Sequence, residues 1–338
     1  MADPPRRLIA VIGFVIGVAF LVIALRGANF RGIVENLRDA NFALVIPFLV
    51  TLAALNWVRA VRWSVLLRAL RKKTTGTEVF PAVMIGFASN VVLPPPLSDF
   101  VRMYVAGRRL RIKNTAVFAT IVLERVFDLV VIALLLGVAL AMMPKPTDEL
   151  ILGGYLSAMV AFVAFMVVTV YAVWSDGFLR ITRRMLSLLP GQIESVLKRH
   201  LDFAASGLAA LASARRIIEV TMLTLIQWTL MALGIYISMI AVDINLHVSA
   251  AVVVLAITFV GITLPSTPGA VGTIQLSFAL ALAPFGVSST AAVSASIFWH
   301  VIGYCFVVSV GLYYFLRLGY TLREIRDSAK VGSLENAE

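Results

Sequence analysis

Long apolar blocks separated by short polar segments dominate this chain. Six blocks approach or exceed the roughly 20 residues that an α-helix needs to cross a hydrocarbon core. They cover residues 8–25, 42–67, 115–143, 150–174, 217–242 and 289–316. The pattern predicts an all-α, polytopic membrane protein with six spanning helices.

Two further apolar stretches are interrupted by proline and glycine. The stretch 79–97 ends in Pro94-Pro95-Pro96, and the stretch 248–284 is broken at Pro265-Ser266-Thr267-Pro268-Gly269. Proline cannot continue a helix because it lacks the backbone donor and clashes with the preceding turn. Basic residues flank the first stretch on both sides, so it should enter and leave the membrane at one face. The second should enter from the opposite face, which predicts two re-entrant broken hairpins.

The two halves of the chain show the same order of elements. From the second helix onward, an offset of about 174 residues aligns Phe42 with Arg216, Pro94 with Pro268 and Thr115 with Ser289. Such hydropathy symmetry is typical of transporters built as inverted repeats. The alternative is a coincidence between hydrophobic blocks of similar length.

This repeat predicts five segments. Residues 1–143 form the first half, with three spans and the hairpin at about 79–97, and residues 144–177 contain the fourth span. Residues 178–216 are too polar to span, and their helical periodicity predicts an amphipathic elbow at the cytoplasmic interface. The second half continues through 217–316, with the hairpin at about 248–284, and a tail follows at 317–338.

Composition and charge place the chain in a membrane and orient it. Hydrophobic residues make up 60% of the chain and charged residues 14%, against roughly 25% charged in soluble domains. The net charge of +11 would suggest nucleic acid in a soluble protein. Here most basic residues fall in alternate loops, which predicts both termini in the cytoplasm and a location in the cell (inner) membrane. Anionic lipid head groups explain the excess, so no nucleic-acid partner is expected.

The first block and the cysteine content carry less information. The block 8–25 is longer than the apolar region of a cleaved signal peptide and is expected to stay as a helix. Cys305 is the single cysteine and lies in the last block, so neither a disulfide framework nor a cysteine metal site is expected. No cofactor is predicted, and the sequence does not indicate an oligomeric state.

Charged residues inside the predicted spans are the first candidates for function. Glu124, Arg125 and Asp128 fall near the middle of the third span, where a charge needs a partner or a polar cavity. They could form an internal ion pair that holds helices together, or a site for a substrate or a coupling ion. In the second span, Arg62 could reach the interface with its long side chain, whereas Arg59 lies deeper.

The hairpins supply the remaining candidates. Broken helices expose backbone groups at membrane depth, and helix N-termini there would suit phosphate. Asp99 and Arg102 would stand at the cytoplasmic mouth of a cavity. His300, in the last span, could be a ligand or simply form a bond between helices. Other substrate-binding candidates at the two breaks are Asn90, Pro95, Thr267, Pro268, Gly269 and Gln275.

The same positions resemble the flippase-like family that includes the transmembrane part of lysylphosphatidylglycerol synthase. The resemblance covers nearly the whole chain. It rests on Arg59-Ala60-Val61-Arg62-Trp63, a Pro-x-Arg-x-Gly-Glu-x-x-Arg-like stretch at 94–102, Glu124-Arg125-x-x-Asp128 and Thr267-Pro268-Gly269-Ala270-x-Gly272. The sequence departs from the motifs at Pro96, Ser98, Asp99 and Gln275. The resemblance implies translocation of a lipid, with relatives linked to aminoacyl phospholipids, polyisoprenyl-phosphate sugars and hopanoids.

These observations favour a flippase or scramblase for a lipid with a polar, anionic head. The expected partners are anionic phospholipid, polyisoprenyl phosphate or hopanoid-type lipids. An enzyme is not expected, because few residues follow the last span, leaving no room for an aminoacyl-transfer domain, and no catalytic or metal motif is recognisable. The alternatives are an accessory or scaffold protein, or an enzyme, of a lipid or lipid-linked glycan pathway.

Overall fold

The computed structural model describes residues 4–91, 93, 95–142, 214–263, 267–321 and 324, and single helical positions between 148 and 166. The described regular structure is helical throughout. The helices are α1 Pro4–Arg26, α2 Phe30–Arg38, α3 Val45–Leu67, α4 Gly76–Ser89, α5 Pro95–Leu110, α6 Asn114–Met142, α7 Ala214–Ala241, α8 Val248–Thr263, α9 Thr273–Leu282 and α10 Ser289–Arg317. The predicted fourth span, the elbow and most of the tail lie outside the described residues.

Several predicted spans coincide with long apolar helices. Phe42–Leu67, Arg215–Ala241 and Ser289–Arg317 have the length and composition to cross a membrane, as the sequence predicted. Helices α1 and α6, of 23 and 29 residues, match two more predicted blocks. The segment Pro268–Phe285, predicted as one arm of a hairpin, also has the length and composition of a span. The count of six spans and the inverted repeat therefore stay predictions.

Helix α2 was not predicted. It is bent by 84° from α1 after Gly27-Ala28-Asn29, and the Asn29 side chain caps it by accepting a hydrogen bond from the Arg31 backbone. Ile33 is buried, whereas Phe30 is exposed and Arg31 pairs with Glu35 across one turn at 3.0 Å. A short amphipathic helix of this kind is suited to lie in a membrane interface.

Helices α4 and α5 form an antiparallel pair. Near its open end, Arg109 Nε donates to the carbonyl oxygen of Glu78 at 2.8 Å. Nearer the break, a Cβ atom added to Gly86 would come within 2.8 Å of the Arg102 Cβ atom. The predicted hairpin at 79–97 is therefore too short, because α5 runs on to Leu110. Prolines begin this second arm, since a residue in the first helical turn needs no backbone donor.

The second break is held by glycines. A short 3₁₀ turn at Pro268–Ala270 separates α8 from α9, and Gly269 and Gly272 have φ angles of 75° and 85°. Glycine adopts this left-handed region without the steric cost of a side chain. Helix α1 covers the break: a Cβ atom added to Gly272 would lie 2.1 Å from the carbonyl oxygen of Gly17.

Two large apolar clusters hold these elements together. One packs α7 to α10 against α6 around Phe278, and the other packs α3 to α6 around Trp63; both side chains are fully buried. Close contact of Gly311 in α10 with Ala88 in α4 joins the two halves. The described structure thus places both helix breaks inside one bundle.

The ends of α3 and α5 that carry Arg68 and Arg108 are here called the basic end. Glu324 pairs there with Arg108 at 2.8 Å, and the Tyr320 ring lies beside the same guanidinium. A hydrogen bond from the Thr321 backbone, together with Arg108, holds the pKa of Glu324 below its ordinary value. The last described residues are therefore docked onto the end of α5.

Candidate functional site

Buried charges from three helices meet inside the bundle. Arg62 in α3 reaches both carboxylates of α6: its Nη1 atom lies 2.6 Å from Asp128 Oδ1, and its Nη2 atom lies 3.3 Å from Glu124 Oε1. All three residues are at most 3% exposed. Arg62 therefore does not extend to the interface, as one reading of the sequence allowed. Its guanidinium compensates the two carboxylates that the sequence placed in mid-membrane.

Arg102 completes the pairing of Glu124. Its guanidinium forms a short ion pair with Glu124 and stacks over the Trp63 ring, with Cζ 3.9 Å from the ring centroid. Arg102 is only 4% exposed. The prediction that it stands at the open mouth of a cavity was therefore wrong. Because α5 continues past the prolines, Arg102 lies within a packed helix and faces α6.

Arg125 occupies the outer side of the same cluster. Its Nη2 atom contacts both oxygens of Asp99 in α5, at 3.0 and 2.9 Å. The predicted contact with Asp128, one turn along α6, is longer at 3.8 Å. The Arg125 side chain is 48% exposed and that of Asp99 is 18% exposed. The interhelical pair is therefore the principal partner of Arg125.

Neutral side chains complete the cluster. Trp228 Nε1 donates to Asp128 at 3.1 Å, and Arg62 Nη1 donates to Thr224 Oγ1 at 3.2 Å. Trp63 Nε1 donates to Thr120 Oγ1 at 2.9 Å. Sequence reasoning missed Thr224 and Thr120, because a threonine in an apolar helix commonly bonds to its own backbone. Both residues also make that local bond here.

The cluster is electrically neutral. Three arginines alternate with three carboxylates in the order Asp99, Arg125, Asp128, Arg62, Glu124 and Arg102. Removing one partner from such a buried arrangement leaves an uncompensated charge, which is far more costly than losing a neutral contact. This "neutral network" therefore links α3, α5 and α6 to one another.

Arg59 lies apart from this network. Its guanidinium donates to Asn56 Oδ1 at 3.4 Å, contacts Met231 Sδ at 3.5 Å and stacks over the Phe87 ring at 4.5 Å. Among the described residues, no carboxylate lies within ion-pair distance of Arg59. The site therefore contains one cation that its own carboxylates do not balance.

The two helix breaks meet directly. The backbone N–H of Gly269 donates to the carbonyl oxygen of Asn90 at 3.0 Å. From α10, the Tyr304 hydroxyl donates to the carbonyl oxygen of Gly269 at 2.6 Å. Four predicted site residues come together at this "junction": Asn90, Thr267, Pro268 and Gly269. Pro95 begins α5 just after the first break.

Gln275 and His300 brace the junction from one side. The Gly272 backbone donates to Gln275 Oε1 at 2.7 Å, which fixes the orientation of the side-chain amide. Gln275 Nε2 must then donate to His300 Nδ1, 3.2 Å away. His300 is consequently neutral, with its proton on Nε2. Of its two sequence-based readings, the structure provides the bond between helices.

The fold and site correspond to a known class of membrane protein. Residues 10–311 match the family described as the lysylphosphatidylglycerol synthase TM region, and the chain belongs to this family. Together with the long apolar helices, the match identifies a multi-pass membrane protein.

Two curated proteins show more distant similarity. Glycosyltransferase AglD of Haloferax volcanii is 26% identical over 376 aligned residues, which cover 98% of this chain and 58% of that protein. A UPF0104 membrane protein of Methanothermobacter thermautotrophicus is 23% identical over 316 residues, which cover 88% of this chain and 92% of that protein. The chain thus spans little more than half of the first relative. No solved structure matches the chain.

Proposed function

We propose that this protein moves a lipid with a polar, anionic head group between the leaflets of the cell membrane. The head would pass beside the junction while the acyl chains stay in the bilayer. The observation that carries this proposal is the meeting of two broken hairpins at the hydrogen bond between Gly269 and Asn90.

The physical argument concerns backbone groups at membrane depth. Non-helical backbone inside a membrane is tolerated only where protein buries it or where it lines a water-filled cavity. Transporters use such discontinuous helices, at the interface between inverted repeats, to bind and pass polar groups. At the junction two interrupted helices meet, and the described residues of the two breaks share the hydrogen bond between Gly269 and Asn90. Opening that bond would expose the polar backbone to a passing head group.

The proposal includes an orientation and an energy source. Both termini and the basic end would face the cytoplasm, as the distribution of basic residues predicts. The sequence contains no P-loop. Transport would then follow the lipid gradient, or an ion gradient, with consumption of the lipid on the far side giving it direction.

A second candidate function follows from the relative that is named as a glycosyltransferase. That name belongs to a protein of which this chain matches 58%. A role within a lipid-linked glycan pathway, as an accessory protein or as part of an enzyme, would explain that similarity. It would not require a head group to pass the junction, which distinguishes it from transport.

The test is lipid exchange in vesicles. Purified protein is reconstituted with a fluorescent phosphatidylglycerol, a polyisoprenyl phosphate or a hopanoid-type lipid, and a membrane-impermeant quencher is added. With the right lipid, the inner-leaflet fraction should lose its protection, whereas protein-free vesicles keep it. Continued protection of all three lipid classes in vesicles that contain folded protein would favour the accessory role.

One substitution links exchange to the junction. Tyr304→Phe removes the hydroxyl that holds the Gly269 carbonyl oxygen, and a hydrogen bond of this kind contributes about 0.5–1.5 kcal/mol. If the junction must open, the variant should exchange lipid faster, by roughly 2- to 10-fold. The matched control is Tyr313→Phe in the same helix, where the hydroxyl accepts a hydrogen bond from Arg317 and has no other hydrogen-bond partner among the described residues. Equal rates in the two variants would argue against passage at the junction.

A further inference from the structure

We infer that Arg59 binds one phosphate-class anion and that the neutral network does not. This deepens the proposed function, on which it rests only in assigning the phosphate to a lipid head. Four arginines lie in this part of the bundle, and the sequence favours Arg59 only because it lies deeper in its span than Arg62. The structure separates them by what each guanidinium already contacts.

Three of the four guanidinium groups already have a carboxylate partner. Arg62, Arg102 and Arg125 each form an ion pair with a carboxylate of the neutral network. A ligand that bound Arg62 or Arg102 would have to displace a carboxylate and leave it unpaired in a buried site, and a ligand that bound Arg125 would compete with Asp99. Leaving one member of a buried pair uncompensated costs several kcal/mol. A single new contact with the ligand would do no more than offset that cost.

Arg59 is in the opposite situation. Its partners are an amide oxygen, a thioether sulfur and an aromatic ring, none of which carries a charge. A cation inside an apolar span is expensive unless it is paired. Binding one anion would complete the charge balance of the whole site. The planar guanidinium is suited to phosphate, because it can donate two parallel hydrogen bonds.

The surroundings place this anion next to the junction. Phe87, which stacks on Arg59, precedes Asn90 by three residues at the end of α4, so their side chains lie on neighbouring positions of one face. The side-chain oxygen of Asn90 is buried and has no hydrogen-bond partner among the described residues. A phosphate on Arg59 would bring the rest of a head group towards that acceptor, where a hydroxyl could donate to it.

Thermal unfolding without anionic lipid separates binding from a structural role. The measurement uses the full chain in a neutral detergent. Because Arg59 pairs with no carboxylate in the described part of the chain, Arg59→Gln should unfold at the wild-type temperature or above it. A lower unfolding temperature would mean that Arg59 holds the fold together, and it would overturn the inference.

The binding measurement uses defined probes in the same detergent. Phosphatidylglycerol should bind the wild type, and Arg59→Gln should raise its Kd about tenfold, whereas diacylglycerol, which lacks the phosphate, should not distinguish the two. Arg38→Gln, which removes an exposed arginine from α2, should leave the Kd within about twofold. Unchanged affinity in Arg59→Gln, or equal losses in both variants, would overturn the inference. Arg59→Lys, which keeps the charge, should recover part of the affinity.

Further measurements identify the source of the phosphate. They also test the anion site independently of the transport proposal. Competition of inorganic phosphate with phosphatidylglycerol at equal concentrations would assign the site to a free ion, and its failure to compete would assign the site to a lipid head. The measurements require no lipid exchange. If vesicles show no exchange but the Arg59 dependence persists, the transport proposal fails and the anion site stands.

Discussion

At the scale of single residues, the stability of the neutral network depends most on the ion pairs of Arg62. This side chain joins α3 to two carboxylates of α6 and also donates to α7 through Thr224. The sequence identified each charged residue but did not predict which residue it pairs with. Ion pairs between helices far apart in the chain depend on the packing of those helices, which periodicity along one helix cannot supply.

Arg62→Gln should therefore destabilise the protein strongly. It leaves Asp128 buried with one fewer compensating charge, a change that typically costs about 3–5 kcal/mol. Arg125→Gln is the matched control, because Arg125 is half exposed and its loss should cost clearly less. Thermal unfolding in detergent compares the two variants. Equal losses would mean that the network is solvated throughout, and adding Asp128→Asn to Arg62→Gln should restore part of the stability.

The sequence identified the charged residues of the cluster but not their contacts. Arg59, Glu124 and Asp128 were recognised because charge inside an apolar block is conspicuous. Arg102 was recognised but placed in a polar flank, since the sequence around it is basic. Its burial depends on α5 continuing as a helix, and the preceding prolines obscured that continuation.

At the scale of elements, the contact between α1 and the second break shows how a helix can secure an irregular segment. Gly17 and Gly272 approach so closely that neither a side chain nor a water molecule fits between their backbones. Sequence periodicity located both α1 and the break. It did not bring them together, because nothing in the pattern of either segment identifies its neighbour.

Gly272→Ala should disrupt this contact. The added methyl group would lie 2.1 Å from the Gly17 carbonyl oxygen, and backbone on both sides prevents relief. Gly286→Ala is the control: its φ angle of 78° is also positive, but no atom lies within 4 Å of the new methyl group. The control should lose about 1–2 kcal/mol from backbone strain alone. Yield and unfolding temperature should fall further in Gly272→Ala, and similar losses would argue against the close contact.

The elements themselves were predicted unevenly. Long apolar blocks predicted the ends of α3, α7 and α10 to within three residues. Helix α2 was not predicted, because its nine residues are too few for a periodic pattern and its mean polarity resembles that of a loop. In the first hairpin the prolines were read correctly as a break, but their second effect, starting a new helix, was not foreseen.

At the scale of the whole molecule, the arrangement of the hairpins in the membrane can be tested by labelling. In a Cys305→Ala background, single cysteines replace Lys72 and Lys113, which bracket α4 and α5, or Asn245 and Ala283, which bracket the second hairpin. An impermeant thiol reagent should label the first pair from the cytoplasm and the second pair from outside. If the two members of either pair label from opposite faces, that segment spans the membrane and the inverted repeat is lost.

The neutral network also has a consequence for how the chain is made. Arg62 is synthesised 66 residues before Asp128. At roughly 5–20 residues per second, about 3–13 s separate the two on the ribosome. During that interval Arg62 lacks both of its carboxylates, and an unpaired arginine inside a span costs about 2.5–3.5 kcal/mol. Insertion of α3 is therefore penalised at this residue until α6 arrives and supplies Glu124 and Asp128.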